Sequence, residues 1–206
     1  MKNTADEQSP RVFAIVPAAG RSRRMGSPKQ LLAIDGRPML LAVIDPLAAA
    51  DVAGVVVVTY RDIAQQLALG ALAGVFVAFN EDERSGMVDS VRIGLKELAG
   101  RATIGTRDGF LVCPADQPGI STADFDACIA EFRRGPERIV VAVRGKRRWH
   151  PIIFPAELAS FVESAGCDGG LNRLPCSYPA LVVEVGCVST GVARDIDTRD
   201  DYQRLP

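Results

Sequence analysis

Apolar runs rich in β-branched residues alternate with stretches of helical spacing along most of the chain. The runs that predict strands lie at residues 12–16, 55–59, 75–79, 110–113 and 139–143. The continuous valines of the second run are typical of a strand that is buried on both faces of a sheet. The alternation predicts an α/β fold with three layers, in which helices cover both faces of a mostly parallel, Rossmann-like sheet.

Helical spacing of the apolar residues predicts three helices between these strands. They are predicted at residues 39–50, 87–98 and 125–132. Pro38 suits the first turn of the first helix, and Pro46 predicts a kink within it. Ser85 is a candidate N-cap of the second helix, and Ser121 or Thr122 of the third.

The two ends of the chain are less regular. Residues 1–10 are polar and lack the apolar core of a signal sequence. We therefore expect a disordered tail there, followed by one folded domain at residues 11–206. Residues 151–154 and 181–185 predict two further strands. They could form an antiparallel edge or a small lid, and in either case a small C-terminal β extension of the fold.

The composition argues against some classes of binding partner and indicates the cellular compartment. The chain has 24 basic and 25 acidic side chains, and this formal net charge of -1 argues against a nucleic-acid coat. No apolar run is long enough to span a membrane. The five cysteines are odd in number and form no CxxC pair, which argues against a disulfide framework and a structural zinc site. We expect a cytoplasmic globular protein that binds neither nucleic acid nor membrane.

The segment at residues 16–29, called here the first loop, directly follows the first predicted strand. Ligands of open parallel sheets bind at the carboxyl ends of the strands. Ala18, Ala19 and Gly20 are small enough for backbone N–H groups to approach a phosphate. No acidic residue occurs between positions 11 and 34, so the charge of the basic side chains is locally unopposed. Those side chains are Arg21, Arg23, Arg24 and Lys29.

This pattern suits a polyphosphate, whose several anionic oxygens need several fixed donors. The first loop lacks the Gly-Lys-Ser/Thr ending of a P-loop and the GxGxxG of a dinucleotide site. The alternative is a flexible basic loop that binds nothing specific.

The first loop also carries a specific resemblance. Its AAGxSxRMGxxK pattern, from Ala18 to Lys29, resembles the MobA-like NTP transferase family, and most of all the molybdenum cofactor cytidylyltransferase branch. Three later segments match the same branch. They are Asn80 with Gly86-Met87 and residues 90–95, then Asp116-Gln117-Pro118, then His150-Pro151.

The resemblance implies a magnesium-dependent nucleotidyltransferase. Such an enzyme would move a CMP or other NMP group from a nucleoside triphosphate to a phosphorylated acceptor, of which molybdopterin is the first candidate. The implied catalytic residues are Arg24, Lys29 and Asp116. The implied nucleotide-binding residues are Ala18, Ala19, Gly20, Arg21, Ser22, Arg24, Met25, Gly26, Lys29, Asn80, Ser85, Gly86, Ser90 and Asp116.

Two acidic positions are candidates for the Mg²⁺ site. Asp116 follows the fourth predicted strand and faces the same crevice as the first loop, and Mg²⁺ prefers carboxylate oxygen. The other interpretation is that Asp116 organises a turn before Pro118. The resemblance implies a second metal-binding aspartate at Asp197. That residue, or Thr198, could instead cap a last helix.

The base and the acceptor are the least determined parts. Relatives that use cytidine resemble the Ala18-Ala19 pair, which favours CTP. Trp149 and His150 follow three basic residues and could hold an anionic ring by charge and stacking, or could belong to a surface hairpin. Residues 168–174, on the presumed acceptor side, match the family pattern only loosely. Two alternatives stay open: a sugar- or alcohol-phosphate acceptor, and a nucleotide-binding partner protein without catalysis.

Overall fold

A computed structural model of the chain describes residues 9–20, 27–189, 196 and 201–202. Its strands are β1 (Val12–Pro17), β2 (Ala33–Ile34), β3 (Arg37–Pro38), β4 (Gly54–Thr59), β5 (Val75–Phe79), β6 (Gly109–Val112), β7 (Ile139–Arg144), β8 (Arg147–Pro155) and β9 (Val182–Gly186). Its α-helices are α1 (Met39–Ala48), α2 (Arg61–Gln66), α3 (Met87–Arg101), α4 (Thr122–Arg134), α5 (Ala159–Glu163) and α6 (Arg173–Ser177).

Seven of these strands form one sheet in the order β5-β4-β1-β6-β8-β7-β9. The predicted parallel half is confirmed, because β1 pairs in parallel with both β4 and β6, and β4 with β5. Apolar side chains on both faces of β1 are buried, in two separate core layers that contain Val16 and Ile15 respectively. The fold is therefore the expected three-layer α/β arrangement, and the carboxyl ends of β1, β4 and β6 open at one edge.

The two C-terminal strands belong to the main sheet. One prediction placed these strands at an antiparallel edge of the sheet. β8 is antiparallel, but it lies inside the sheet between β6 and β7. β9 is the edge strand, and it runs parallel to β7. Neither strand forms a lid. Hydrophobic periodicity fixes which residues are buried but does not fix the neighbouring strand, so this half of the topology was not predictable from the pattern.

The helix boundaries require one correction. The N-cap of α3 is Gly86 rather than Ser85, because the Asp89 carboxylate reaches back and accepts from the Gly86 N–H at 2.7 Å. Ser121 caps α4 as predicted, accepting from the Asp124 N–H at 3.2 Å. Helix α1 contains Pro46, as expected.

The described part of the chain begins before the predicted domain boundary. Pro10, assigned to the tail by its sequence, is buried, and its carbonyl oxygen accepts from Arg133. Sequence reasoning also missed the short β2–β3 hairpin, whose turn places Asp35 and Gly36 at positive φ. Among the described residues, none of the helices has the length and apolarity needed to cross a membrane.

Candidate active site

Hydrogen bonds from neighbouring side chains hold the backbone of residues 18–20, directly after β1. Gln30 Nε2 donates to the carbonyl oxygens of Ala18 at 2.6 Å and Gly20 at 2.9 Å. Thr59 Oγ1 also donates to the first of these oxygens, at 3.2 Å, and Tyr60 Oη donates to the carbonyl oxygen between them. The carbonyl groups are thus held by the protein, so a ligand anion in front of the loop meets less repulsion from them.

A short ion pair lies where β1 and β6 end. Lys29 Nζ is 2.7 Å from Asp116 Oδ2, and both side chains are largely buried, with 14% and 24% exposure. Lys29 Nζ also donates to the carbonyl oxygen of Ile196 at 3.3 Å, and the Ile196 N–H donates to the carbonyl oxygen of Asp116 at 3.0 Å. The predicted catalytic lysine and carboxylate therefore meet, and the chain just before Asp197 is fixed beside them.

The segment between β5 and α3 supplies the opposite wall. Asn80 is buried, and its Nδ2 donates to Ser85 Oγ at 2.9 Å and to Ser90 Oγ at 3.0 Å. Ser85, Gly86 and Ser90 line the cleft beside the first loop, whereas Asn80 lies behind them. Asn80 thus orients the two serines, and the amino end of α3 faces the cleft with its positive dipole.

Two cavities open at this edge of the sheet. The smaller, of about 140 Å³, lies between the first loop and the start of α3. The larger, of about 460 Å³, lies between the amino end of β8 and residues 170–176. Both cavities are lined by Met87, Pro114 and Asp116. A ligand in either cavity can therefore reach the carboxylate of Asp116, and two ligands bound together would meet there.

The larger cavity brings together the predicted acceptor residues. Trp149 and His150 line it from β8, and Gly170, Leu171 and Asn172 line it from the segment that matches the family pattern only loosely. The basic residue before them, Arg148, is half exposed and paired with Glu184 at 2.7 Å. The walls are otherwise mainly apolar, so this cavity suits an uncharged group better than a phosphate.

His150 is held in its neutral form. Burial lowers the pKa of its imidazole to about 4, against the opposing effect of the Asp116 carboxylate. Its Nδ1 lies 3.4 Å from Nε2 of Gln117, which is buried and lines the same cavity. The imidazole is therefore uncharged at neutral pH, and the positive charge predicted for this segment comes from its basic residues, of which Arg148 lines the cavity.

Two site residues were missed by sequence reasoning, Gln30 and Tyr60, which anchor the first loop. Met87 and Gln117 belong to segments that match the family, and they line the cavities. Tyr60 follows the carboxyl end of β4, so the positional rule that identified Asp116 would have found it. Six predicted residues lie outside the described part of the chain. They are Arg21, Ser22, Arg24, Met25, Gly26 and Asp197.

Among the described residues that line the two cavities, Asp116 is the carboxylate that could bind a divalent metal ion. Among them, no group of three or more histidine, cysteine, aspartate or glutamate side chains lies close enough to bind one ion. Asp116 supplies a carboxylate at the junction of the cavities. Mg²⁺ keeps several waters and is bound through one or two carboxylates plus substrate phosphates, so one protein carboxylate suffices here.

Comparisons with known proteins agree on the family. A model described as the MobA-like NTP transferase domain matches residues 14–178, which contain every lining residue of both cavities. The chain is 30% identical to the nicotine blue oxidoreductase of Paenarthrobacter nicotinovorans, over 97% of this chain and 98% of that protein. It is 34% identical to the 2-C-methyl-D-erythritol 4-phosphate cytidylyltransferase of Frankia casuarinae over 81% of this chain, and spans 56% of that longer protein.

Solved structures agree on the fold. Rv0371c from Mycobacterium tuberculosis H37Rv matches with a TM-score of 0.77 and 29% identity, over 95% of this chain and 97% of that chain. Another structure of Rv0371c is a complex with manganese. A relative of this fold thus binds a divalent metal.

Proposed function

This chain belongs to the MobA-like NTP transferase family and is a nucleotidyltransferase; we propose that it transfers CMP from CTP to a phosphorylated acceptor of the molybdopterin type and releases pyrophosphate. The observation that carries the proposal is the meeting of two cavities at Asp116. The smaller cavity takes the triphosphate, and the larger takes the rest of the acceptor. The two reacting phosphates then meet beside the Lys29–Asp116 pair.

The proposed step is a direct displacement at phosphorus. An acceptor phosphate oxygen attacks the α-phosphorus of CTP and forms the new P–O bond. The bond between the α-phosphorus and the bridging oxygen to the β-phosphate breaks, and pyrophosphate leaves with the electron pair. The acceptor phosphate is already ionised at neutral pH, so no strong general base is needed. A neutral His150 with a pKa of about 4 is consistent with that requirement.

Fixed positive groups oppose the charge of the triphosphate in this scheme. Lys29 holds a phosphate oxygen, and the amino end of α3 at Gly86 contributes its dipole. Asp116, with Asp197 as the proposed second ligand, would hold Mg²⁺, which when bound would neutralise phosphate charge. Arg24 keeps its proposed role in stabilising developing charge. Arg21, Ser22, Met25 and Gly26 keep their proposed contacts to the nucleotide.

Two observations support the proposal that the nucleotide is CTP. The Ala18-Ala19 pair lines the cleft, and one relative is named a cytidylyltransferase. A thermal-shift series with CTP, GTP, ATP and UTP, each with Mg²⁺, tests the base, because a bound nucleotide stabilises the native state by mass action. CTP should give the largest shift.

The five cysteines are free thiols, which fits a reducing compartment such as the cytoplasm.

The acceptor is tested by a screen that measures pyrophosphate release from CTP and Mg²⁺. Molybdopterin, methylerythritol phosphate and a sugar 1-phosphate are offered in parallel. The proposal expects release above background with molybdopterin. Release with one of the other two would keep the chemistry and change the acceptor to a sugar or alcohol phosphate. Folded protein that releases pyrophosphate with none of the acceptors would favour a non-catalytic nucleotide-binding role.

An oxidoreductase is a second candidate, because the relative matched over nearly its whole length carries that name. The proposed substrate in that case is nicotine blue. Consumption of NADH or NADPH in the presence of nicotine blue, without CTP, would favour it. The paired Lys29 and Asp116, with Ser85 and Ser90 in the same cleft, favour phosphate chemistry instead.

A further inference from the structure

One face of α4 is fixed against the chain that leaves β9. Asp124 and Cys128 are four residues apart in α4, so they lie on the same face of the helix, and both are buried. The Asp124 carboxylate accepts from the N–H groups of residues 188 and 189, at 2.9 and 3.3 Å. Cys187 is also buried, and its N–H donates to the carbonyl oxygen of Val143 at 3.0 Å. The backbone of Cys187 is therefore held in place beside this face of α4.

Two thiols meet where α4 packs against this segment. A hydrogen bond joins the side chains of Cys128 and Cys187. Cys187 Sγ also lies 3.7 Å from the carbonyl oxygen of Val185. Because that oxygen can only accept, the Cys187 S–H donates to it, and the Cys187 sulfur accepts from Cys128. Two separately anchored segments thus hold the sulfur atoms side by side, within reach of a disulfide bond.

The two thiols differ in their expected reactivity. Cys187 is 8% exposed and precedes Val188, which is 86% exposed, whereas Cys128 is fully buried. The hydrogen bond from Cys128 lowers the pKa of the Cys187 thiol, against the opposing effects of burial and the Asp124 carboxylate. The same hydrogen bond raises the pKa of Cys128, and burial raises it further. Oxidants react with the thiolate, so Cys187 should react first and Cys128 second.

We propose that Cys128 and Cys187 form a reversible oxidation site, which hydrogen peroxide converts to a disulfide bond. The Cys187 thiolate attacks one peroxide oxygen, the O–O bond breaks, and the leaving hydroxide takes a proton from solvent. Cys187 is then a sulfenic acid. The Cys128 sulfur attacks the Cys187 sulfur, the S–S bond forms, and the S–O bond breaks as hydroxide leaves with the Cys128 proton. Two electrons pass from the sulfurs to the peroxide, and two water molecules form.

This oxidation site is separate from the proposed active site. Neither cysteine is among the described residues that line the two cavities, so bound substrates would not shield the thiols. A cellular thiol of the glutathione or thioredoxin class would restore both cysteines by thiol–disulfide exchange. Such a site is compatible with a reducing compartment, because the disulfide forms only while peroxide is present.

Peptide mapping after peroxide treatment tests the proposal on the intact protein. The protein is reduced, freed of reductant, exposed to hydrogen peroxide and alkylated during denaturation. Digestion with trypsin, Asp-N and Glu-C separates Cys128 from Cys113 and Cys187 from Cys176. We expect a peptide pair joined through Cys128 and Cys187, lighter than the two free peptides by two hydrogen atoms, which dithiothreitol separates. Alkylation of both cysteines to the same extent as in untreated protein would overturn the proposal.

Variants test the order of the two steps. In Cys187→Ser, peroxide should leave Cys128 reduced, because the buried thiol is not attacked directly. In Cys128→Ser, Cys187 should stop at the sulfenic acid, which dimedone traps. The control is Cys176→Ser, which changes the exposed cysteine and should keep the disulfide yield of the wild type. Equal oxidation of Cys128 in the wild type and in Cys187→Ser would contradict the proposal. The wild-type peptide map decides the question even where a serine variant fails to fold.

Discussion

Lys29 and Asp116 neutralise each other across 2.7 Å in the free protein. If Asp116 held a metal ion, that ion would compete with Lys29 for the carboxylate, and the ammonium group could then bind a phosphate. The ion pair holds both side chains in place before a ligand binds, so the ammonium group and the carboxylate are already partly positioned. The position of the pair at the junction of two cavities is the reason that we propose a role for it in binding substrates.

Removing either member should abolish turnover and leave the fold intact. We expect Lys29→Ala and Asp116→Ala each to lower kcat/KM by about a hundredfold or more, because each loses a charge that opposes or anchors the transferring phosphates. Melting temperatures should change little. The matched control is Glu97→Ala, which breaks the surface pair Glu97–Arg101 of α3 at 2.6 Å. Wild-type rates in either site variant would exclude the proposed roles.

His150 should make stability depend on pH. Its pKa is about 4 in the folded protein and 6.5 when unperturbed, so between these values the unfolded chain binds a proton that the folded chain does not. Stability should therefore fall as the pH is lowered from 6.5 towards 4.

Denaturant unfolding of the wild type and of His150→Gln across this range measures the effect. In His150→Gln, the free energy of unfolding should lack the part of its pH dependence that is due to the imidazole. Asp108 and Asp124, whose pKa values are lowered by hydrogen bonds that outweigh burial, keep their own acid dependence in both proteins. Parallel pH profiles for the two proteins would contradict a buried neutral His150.

Helix α3 connects the two cavities. Its amino end lines the smaller one, and Arg92 on its side donates to the carbonyl oxygens of Val162 at 2.9 Å and Ser164 at 2.8 Å. Arg92 also pairs with Asp89, at the start of the helix, and with Asp168 at 2.6 Å. The segment that leads into the wall of the larger cavity is thus attached to the helix whose amino end lines the smaller cavity.

We expect Arg92→Gln to affect the acceptor more than the nucleotide. Loss of these contacts loosens residues 162–168 and should raise the KM for the acceptor about tenfold, with the KM for CTP nearly unchanged. Steady-state kinetics with each substrate varied in turn measures both values. The control is Arg101→Gln, which removes an arginine that pairs with Glu97 within α3 and lies over the ring of Phe76 in β5. Equal increases in both KM values would argue against this attachment.

The packing of α3 on β1 depends on a missing side chain. A Cβ at Gly94 would lie 2.6 Å from Cγ2 of Ile15, which is fully buried in the sheet. We expect Gly94→Ala to destabilise the protein by about 1–3 kcal/mol through overpacking. Gly100, in the same helix, has no atom within 4 Å of such a Cβ.

Gly100→Ala should therefore be neutral or stabilising, by up to about 1 kcal/mol, because alanine has the higher helix propensity. Urea unfolding of the two variants measures the difference. A Gly94→Ala protein as stable as Gly100→Ala would show that α3 does not approach β1 this closely.

An element could be predicted from the sequence where its residues carry a local periodic pattern. The valine run of β4 and the stripe of Val91, Leu95 and Leu98 in α3 are local patterns, and both elements were predicted. The short helices α5 and α6 have five residues each, too few for a periodic signal. Their segment forms the wall of the larger cavity, so sequence pattern alone could not describe the acceptor side.

On the scale of the whole molecule, the two halves of the sheet contribute to different cavities. The parallel half, β5-β4-β1-β6, ends at the nucleotide cleft, and β8 brings Trp149 and His150 to its side. The first loop and Asp116 were predictable, because they directly follow strands of the parallel half. The antiparallel insertion of β8 depends on long-range pairing, so the contact of Gln117 with His150 could not be read from local spacing.

The most direct test of nucleotidyl transfer is to follow both ends of the triphosphate. The protein is incubated with Mg²⁺, molybdopterin and CTP labelled at either the α- or the γ-phosphate. We predict that the α label appears in the acceptor product and the γ label in pyrophosphate, in equal amounts. Release of the γ label as inorganic phosphate, or an α label that stays in free CMP or CTP, would contradict transfer of a cytidylyl group.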